Sequence, residues 1–106
     1  MTTVDLRKAA AALPEAWTSR LLGRVGGAGV KVLRMDGRPL PPESHPTAEA
    51  LLVLDGELRL TVGGRELALR PGEVQLVEAG VEHTVRPGSH GTLLLVEGGA
   101  DGAEGT

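Results

Sequence analysis

The stretch Asp55–Gly88, DGELRLTVGGRELALRPGEVQLVEAGVEHTVRPG, decides the fold class of this chain. Its glycines recur every eight residues and lie in dipeptides typical of turns: Gly56, Gly64, Gly72, Gly80 and Gly88. Between these turns apolar and polar residues alternate, as they do from Leu58 to Val62. Glycines at this frequency interrupt a helix, whereas short alternating segments with regular turns are typical of a sandwich or barrel. The stretch therefore predicts an all-β domain.

The residues before this stretch predict one short helix and two further strands. Asp5 is a suitable N-cap for a helix over Leu6–Leu13, which Pro14 would stop. Trp17–Val25 and Val30–Met35 are predicted strands, joined across the sequence GGAG. We find no linker that would separate a second domain.

The predicted organisation has three parts. Residues 1–16 are expected to form an N-terminal helical extension, and residues 17–97 the barrel. Residues 98–106 are rich in glycine and have no large apolar side chain, so we expect a flexible tail without a function.

Composition excludes several functional classes. The 106 residues include no cysteine, which excludes a disulfide scaffold and any thiolate site. The net charge is −3, there is no basic patch, and Trp17 is the only aromatic residue, so nucleic-acid binding is not expected. The sequence has no apolar leader and no run of about 18 apolar residues, which predicts a cytoplasmic protein that does not interact with membranes.

Polar residues occur where the pattern predicts burial. In the stretch PPESHPTAEALLVLDG, Glu43, His45 and Glu49 precede a predicted buried strand. His83 lies between two valines on the inward face of a later strand. Desolvating such groups is costly unless they are paired or bind a metal. Two imidazoles and one or two carboxylates inside a barrel are N and O ligands suited to Fe, Mn, Ni, Cu or Zn.

Each of these residues also has a simpler interpretation. His83 and His45 could be buried histidines satisfied by one hydrogen bond, and Glu49 could be a solvated charge at a strand edge. For Glu43 the sequence favours neither interpretation. His90 and Glu82 are interpreted as solvated surface residues.

The spacing of these residues resembles the cupins, which are small jelly-roll barrels. Cupins share a first motif, G-x5-H-x-H-x3,4-E-x6-G, and a second, G-x5-P-x-G-x2-H-x3-N, whose three histidines and one glutamate bind a metal. His45, Glu49 and Gly56 match the second half of the first motif. Gly72, Glu78, Gly80 and His83 follow the spacing of the second. The resemblance covers roughly residues 17–97 and implies a single jelly-roll barrel with a short N-terminal helix.

Three positions depart from the cupin motifs. Glu43 replaces the first metal-binding histidine, Glu78 replaces the proline, and Pro87 replaces the final asparagine. Only Glu43 concerns the metal: it completes a site of two histidines and two glutamates, or it indicates a site that has lost its ion.

Three functional classes stay open at this point. The resemblance implies a metal-dependent oxygenase, decarboxylase or isomerase, a non-catalytic module that binds or senses a small molecule, or a cupin with an empty metal site. The sequence does not decide whether the protein is an enzyme. In the absence of stacking aromatic residues, we expect a small ligand that chelates the metal through oxygen.

Two further expectations concern surfaces. The pocket is predicted to be aliphatic, with inward side chains at Leu51, Val53, Leu58, Leu60, Val74, Leu76, Val81 and Val85. We also expect a homodimer, because short strands leave edges that can pair, with the strand Trp17–Val25 covering the partner and Trp17 buried in the contact.

Overall fold

The computed structural model describes residues 2–98 and residue 106. Within this part of the chain the structure has one short helix, α1 (Leu6–Ala11), and seven strands. The strands are β1 (Arg20–Val25), β2 (Ala28–Asp36), β3 (Glu49–Val62), β4 (Arg65–Leu69), β5 (Val74–Val77), β6 (His83–Val85) and β7 (His90–Gly98). Every strand pairing is antiparallel. The structure confirms the all-β, jelly-roll prediction with one short N-terminal helix.

The long strand β3 connects the two halves of the barrel. Its first half pairs with β7 and β5, and its second half pairs with β4 and β6. The remaining strands extend the first half in the order β1, β2, β7, β3. A strand that changes partners in this way must bend, and the register with β7 shifts between Val53 and Asp55.

Gly56 lies at this bend, and not in a turn that ends a strand as the sequence predicted. It has a φ of 78°, and a Cβ atom here would lie 2.0 Å from the carbonyl oxygen of His90. Gly91, on the opposite strand, would bring a Cβ within 2.2 Å of the Asp55 carbonyl oxygen. The two glycines thus allow β3 and β7 to approach closely where β3 changes partners.

The barrel interior is a core of aliphatic side chains. Leu51, Val53, Leu58, Leu60 and Leu93 have no measurable exposure. Their burial confirms the predicted inward face of β3, but these residues fill the interior and do not line an open pocket.

The predicted orientation of β5 is wrong. Val74 and Leu76 were expected to point inward, yet they are 54% and 68% exposed, and Val77 packs in the core instead. The pairing of β5 with β3 places Leu76 opposite Ala50, on the outer face of the sheet. In the sequence VQLV the apolar residues occupy both faces, so alternation alone could not assign the inner one.

Trp17 anchors the segment before β1 in the core of its own chain. It is 5% exposed, and its indole Nε1 donates a hydrogen bond to Asp36 Oδ1 at 2.8 Å. Its φ of 66° is unusual for a residue other than glycine. Trp17 is thus already buried within one chain, so no contact between two chains is needed to bury it.

Helix α1 covers part of the outer face of β2. Asp5 caps it as predicted, accepting a hydrogen bond from the Lys8 main-chain N–H at 3.1 Å. The helix ends at Ala11, and Arg34 Nη1 donates to the carbonyl oxygens of Ala10 and Leu13 at 2.8 and 2.9 Å, which satisfies the helix end. Within the described residues no helix is long and apolar enough to cross a membrane.

Candidate metal centre

Three segments bring the four predicted ligands together. Glu43 and His45 lie in the connection between β2 and β3, Glu49 begins β3, and His83 begins β6. Glu43 and His45 do not lie in a regular strand. Instead Glu43 forms an isolated bridge: its N–H donates to the His83 carbonyl at 3.0 Å, and the His83 N–H donates to the Glu43 carbonyl at 2.9 Å.

The side chains of these residues converge on one point. His83 Nε2 lies 3.2 Å from Glu49 Oε1 and 3.7 Å from Glu43 Oε1. His45 Nε2 lies 3.8 Å from Glu49 Oε1, and the two imidazole rings are 5.2 Å apart. Glu43, His45 and His83 each offer a ligand atom within 4.8 Å of the others. Donor atoms around an ion at about 2.1 Å are separated by roughly 3 Å or more, so a small contraction would suit a metal.

Glu49 is the member of the cluster that most needs a cation, and its ion-pair partner in the structure is the His83 imidazole, with Nε2 3.2 Å from Oε1. It is 4% exposed, and among the described residues neither of its carboxylate oxygens accepts a hydrogen bond. A buried carboxylate without hydrogen bonds is destabilising and rare in folded proteins. The donor atoms present therefore fit a cation that would satisfy Glu49.

The charge of His83 depends on this carboxylate. Burial lowers the pKa of His83, but the Glu49 carboxylate and the main-chain oxygens of Thr106 and Val81 more than offset this effect and raise the pKa to about 9. In the metal-free protein the imidazole is thus protonated at pH 7. Because a metal ligand must be a neutral imidazole, metal binding would release this proton.

Thr106 is an occupant of the cluster that the sequence did not predict. Its main-chain oxygen lies 2.5 Å from His45 Nε2 and 2.8 Å from His83 Nε2. Its main-chain N–H and its hydroxyl group donate to Glu43 Oε1 at 2.8 and 2.9 Å. Thr106 is 2% exposed, in contrast to the expected tail without a function, and the other tail positions, 99–105, lie outside the described residues.

A buried ion pair next to the site was also missed. Lys31 and Glu97 are 2% and 7% exposed, and the Lys31 ammonium group donates to Glu97 Oε1. Glu97 pairs with Glu49 in the register of β3 and β7. The signal was present in the sequence, because Lys31 shares its strand parity with Leu33 and Met35, which face the core.

The two residues interpreted as surface groups lie outside the cluster. His90 is exposed at the start of β7, with Nδ1 2.9 Å from the Gly88 carbonyl oxygen. Glu82 is exposed beside His83. His90 therefore offers a natural control for experiments on the two histidines of the site.

Comparisons with known proteins identify the family. A family model described as the cupin domain matches residues 32–97. A search of curated proteins gives no significant match.

Solved structures with the same fold cover most of the chain. A cupin-2 domain protein from Shewanella frigidimarina superposes with a TM-score of 0.80 at 19% identity, over 90% of this chain and 93% of that one. A protein from Neisseria meningitidis gives a TM-score of 0.78 at 23% identity, over 92% and 99% of the two chains. A Thermus thermophilus protein is 26% identical, with a TM-score of 0.72 over 92% and 97%. The chain belongs to the cupin domain family and carries a His/Glu cluster of the kind that can bind a metal ion.

Proposed function

We propose that this cupin domain binds one divalent transition metal ion through His45, Glu49, His83 and Glu43. The observation that carries the proposal is Glu49, whose two buried oxygens lack hydrogen bonds among the described residues. With neutral imidazoles the four side chains would carry two negative charges, which a divalent ion balances. The donor set of two nitrogens and two carboxylates suits Fe, Mn, Ni, Cu or Zn.

The second part of the proposal is a small ligand that binds through oxygen atoms. An ion in this position supplies Lewis-acid or redox chemistry, which an oxygenase, decarboxylase or isomerase would need. The chain itself contributes shielding from water, since His83 and Glu49 are 1% and 4% exposed. Glu43 and His45 are only half-buried, so the proposed ligand would enter past them.

A second candidate function is a non-catalytic cupin that senses or binds a small molecule without a metal. The contact of Thr106 favours it, because the main-chain oxygen of this residue lies between the two imidazole nitrogens that would bind the ion. In this case His83 would keep its proton and act as a hydrogen-bond donor.

Elemental analysis separates the two candidates. We expect about one divalent transition metal ion per chain in protein purified without a chelating tag. His83→Ala should abolish binding, whereas His90→Ala, which removes the exposed histidine, should leave the metal content unchanged. Full occupancy in His83→Ala would show that the site is elsewhere. Wild-type protein that cannot be loaded with Fe, Mn, Ni, Cu or Zn would favour the second candidate.

A further inference from the structure

Thr106 shows what kind of molecule the cluster can hold. It offers three polar groups within one residue: a main-chain oxygen, a main-chain N–H and a side-chain hydroxyl group. The oxygen contacts both imidazoles, and the two donors both contact Glu43 Oε1. The cluster is thus divided into a side that donates to an oxygen and a side that accepts from N–H or O–H groups.

The Glu43 carboxylate thus has a role other than metal binding: it accepts hydrogen bonds from N–H and O–H groups. A ligand that offered only oxygen would satisfy the imidazoles but would leave the Glu43 carboxylate without a donor. Hydrogen bonds to a charged acceptor are stronger than those between neutral groups, so a donor beside the oxygen adds affinity and selectivity. The replacement of the usual cupin histidine by Glu43 therefore changes which ligand fits.

We propose that the site takes a short acid or amide whose oxygen lies next to an N–H or O–H donor, as in an N-acylated or hydroxylated amino acid. Thr106 occupies this ligand position in the same chain and must leave before an external ligand binds. The inference rests on the second candidate function, the metal-free one, and deepens it by naming the ligand class of that site. Because Thr106 belongs to the same chain, its contact is intramolecular, and an external ligand must be supplied at high concentration to compete with it.

Three carboxylates that differ in their hydrogen-bond donors test the donor requirement, and the first two of them are nearly equal in shape. N-acetyl-L-threonine has both donors of Thr106, N-acetyl-L-valine lacks the hydroxyl group, and 3-methylbutyrate lacks both. They are titrated at millimolar concentrations into metal-free protein, and displacement is followed by the NMR signal of the Thr106 amide. We expect affinity to fall roughly three- to tenfold with each donor removed. Equal affinities, or binding that leaves the Thr106 amide signal unchanged, would overturn the inference.

Variants assign the effect to particular residues. In Glu43→Ala the three compounds should bind within about twofold of one another, while Ser44→Ala, in the same connection, should keep the wild-type order. Thr106→Val leaves the site intact but removes one hydrogen bond of the internal occupant, so N-acetyl-L-threonine should bind roughly three- to tenfold tighter than in wild type. Thr106→Ser keeps the hydroxyl group and should behave as wild type. A Thr106→Val protein with wild-type affinity would contradict the internal occupant even if Glu43→Ala did not fold.

The outcomes also separate this inference from the metal proposal. Because the titration uses metal-free protein, a correct order of affinities in a protein that never binds metal would support the ligand class alone. A protein that binds one ion per chain but does not rank the three compounds would keep the metal and refute the ligand class.

Discussion

Glu49 and Glu97 are direct neighbours across β3 and β7, yet their environments differ. Both are buried, at 4% and 7% exposure, and they pair in the register of the two strands. Glu97 accepts a hydrogen bond from the ammonium group of Lys31, a residue of the neighbouring strand β2. Glu49 lies beside His83, whose charge disappears if the imidazole binds a metal. One carboxylate is thus neutralised by the fold itself, and the other by an exchangeable partner.

The difference separates a structural ion pair from a binding site. Removing one partner of a buried pair leaves an uncompensated charge, which is strongly destabilising. A carboxylate with an exchangeable cation can instead change partners, from a proton on His83 to a divalent ion. Local apolar patterning does not separate the two glutamates, since each lies at the end of an apolar strand; the motif spacing is what distinguishes Glu49.

The largest expected effect concerns the structural pair. Lys31→Met should lower the free energy of unfolding by about 3–5 kcal/mol, because Glu97 stays buried without its cation. Urea unfolding measured by circular dichroism gives the value. Lys8→Met, on the exposed side of α1, serves as the control and should change stability by less than about 0.5 kcal/mol. The double variant Lys31→Met/Glu97→Leu should recover most of the loss, and a single variant as stable as wild type would refute the role of the pair.

The next prediction concerns the exchangeable carboxylate. With metal at a hundredfold excess over its Kd, wild-type protein should gain about 2.7 kcal/mol of stability. Glu49→Gln should lose this metal-dependent gain, because an amide cannot balance the charge of the ion. Glu97→Gln is the matched change one strand away, and it should lower the stability of the metal-free protein but keep the gain. If both variants lost the gain equally, the contrast between the two carboxylates would not hold.

How far the sequence predicts this arrangement depends on the range of the contacts involved. The alternation from Leu58 to Val62 predicts a half-buried strand because side chains on one face share one environment. Motif spacing likewise brings His45, Glu49 and His83 to one place. The contacts between Thr106 and the histidines join distant parts of the chain, and no sequence motif indicates them. Gly56 looks like a turn residue in the sequence, but in the structure it allows two strands to approach closely. Such features depend on tertiary structure, which local patterns do not encode.

A smaller effect is expected for the carboxylate of Asp36, which lies near the surface and accepts hydrogen bonds from Trp17 and Arg38. Burial raises the pKa of the Asp36 carboxyl group. Hydrogen bonds from the Arg38 N–H, the Trp17 indole and the Arg38 side chain lower this pKa by more, so that it lies below the usual 3.8. The stabilisation is therefore present above pH 3.8 and is lost as the pH falls through the lower pKa of the folded state. We expect Asp36→Asn to cost about 1 kcal/mol at neutral pH and less in acid.

Urea unfolding between about pH 6 and pH 2.5, followed by Trp17 fluorescence, measures this difference. Asp5→Asn, which keeps a capping side chain at α1, is the control for the removal of one negative charge. A difference between wild type and Asp36→Asn that stayed constant over this range would contradict the linkage.

The last prediction concerns the outer side of the same strands and leaves the stability of the fold unchanged. A mostly apolar groove of about 330 Å³ lies there, lined by Ala28, Ala48, Ala50, Leu76, Val77, Val96 and Gly98 together with Glu49 and Glu78. Leu76 projects beside small residues with 68% of its surface exposed, so a projection and a recess lie on one patch, as a twofold contact between identical chains requires. We propose that a second copy of this chain covers the groove, and that the dimer expected from the sequence uses this face and not Trp17.

Leu76→Asp should convert a dimer of twice 10.9 kDa into a monomer, measured by light scattering at micromolar concentration. Ala68→Asp adds the same charge on exposed β4 and should stay dimeric. Because the Glu49 side chain is buried inside the barrel, the monomeric variant should bind metal as wild type does. If the wild-type protein were a monomer, the proposed dimer would be wrong. The contrast between Glu49 and Glu97 would still hold, because both side chains are buried within one chain.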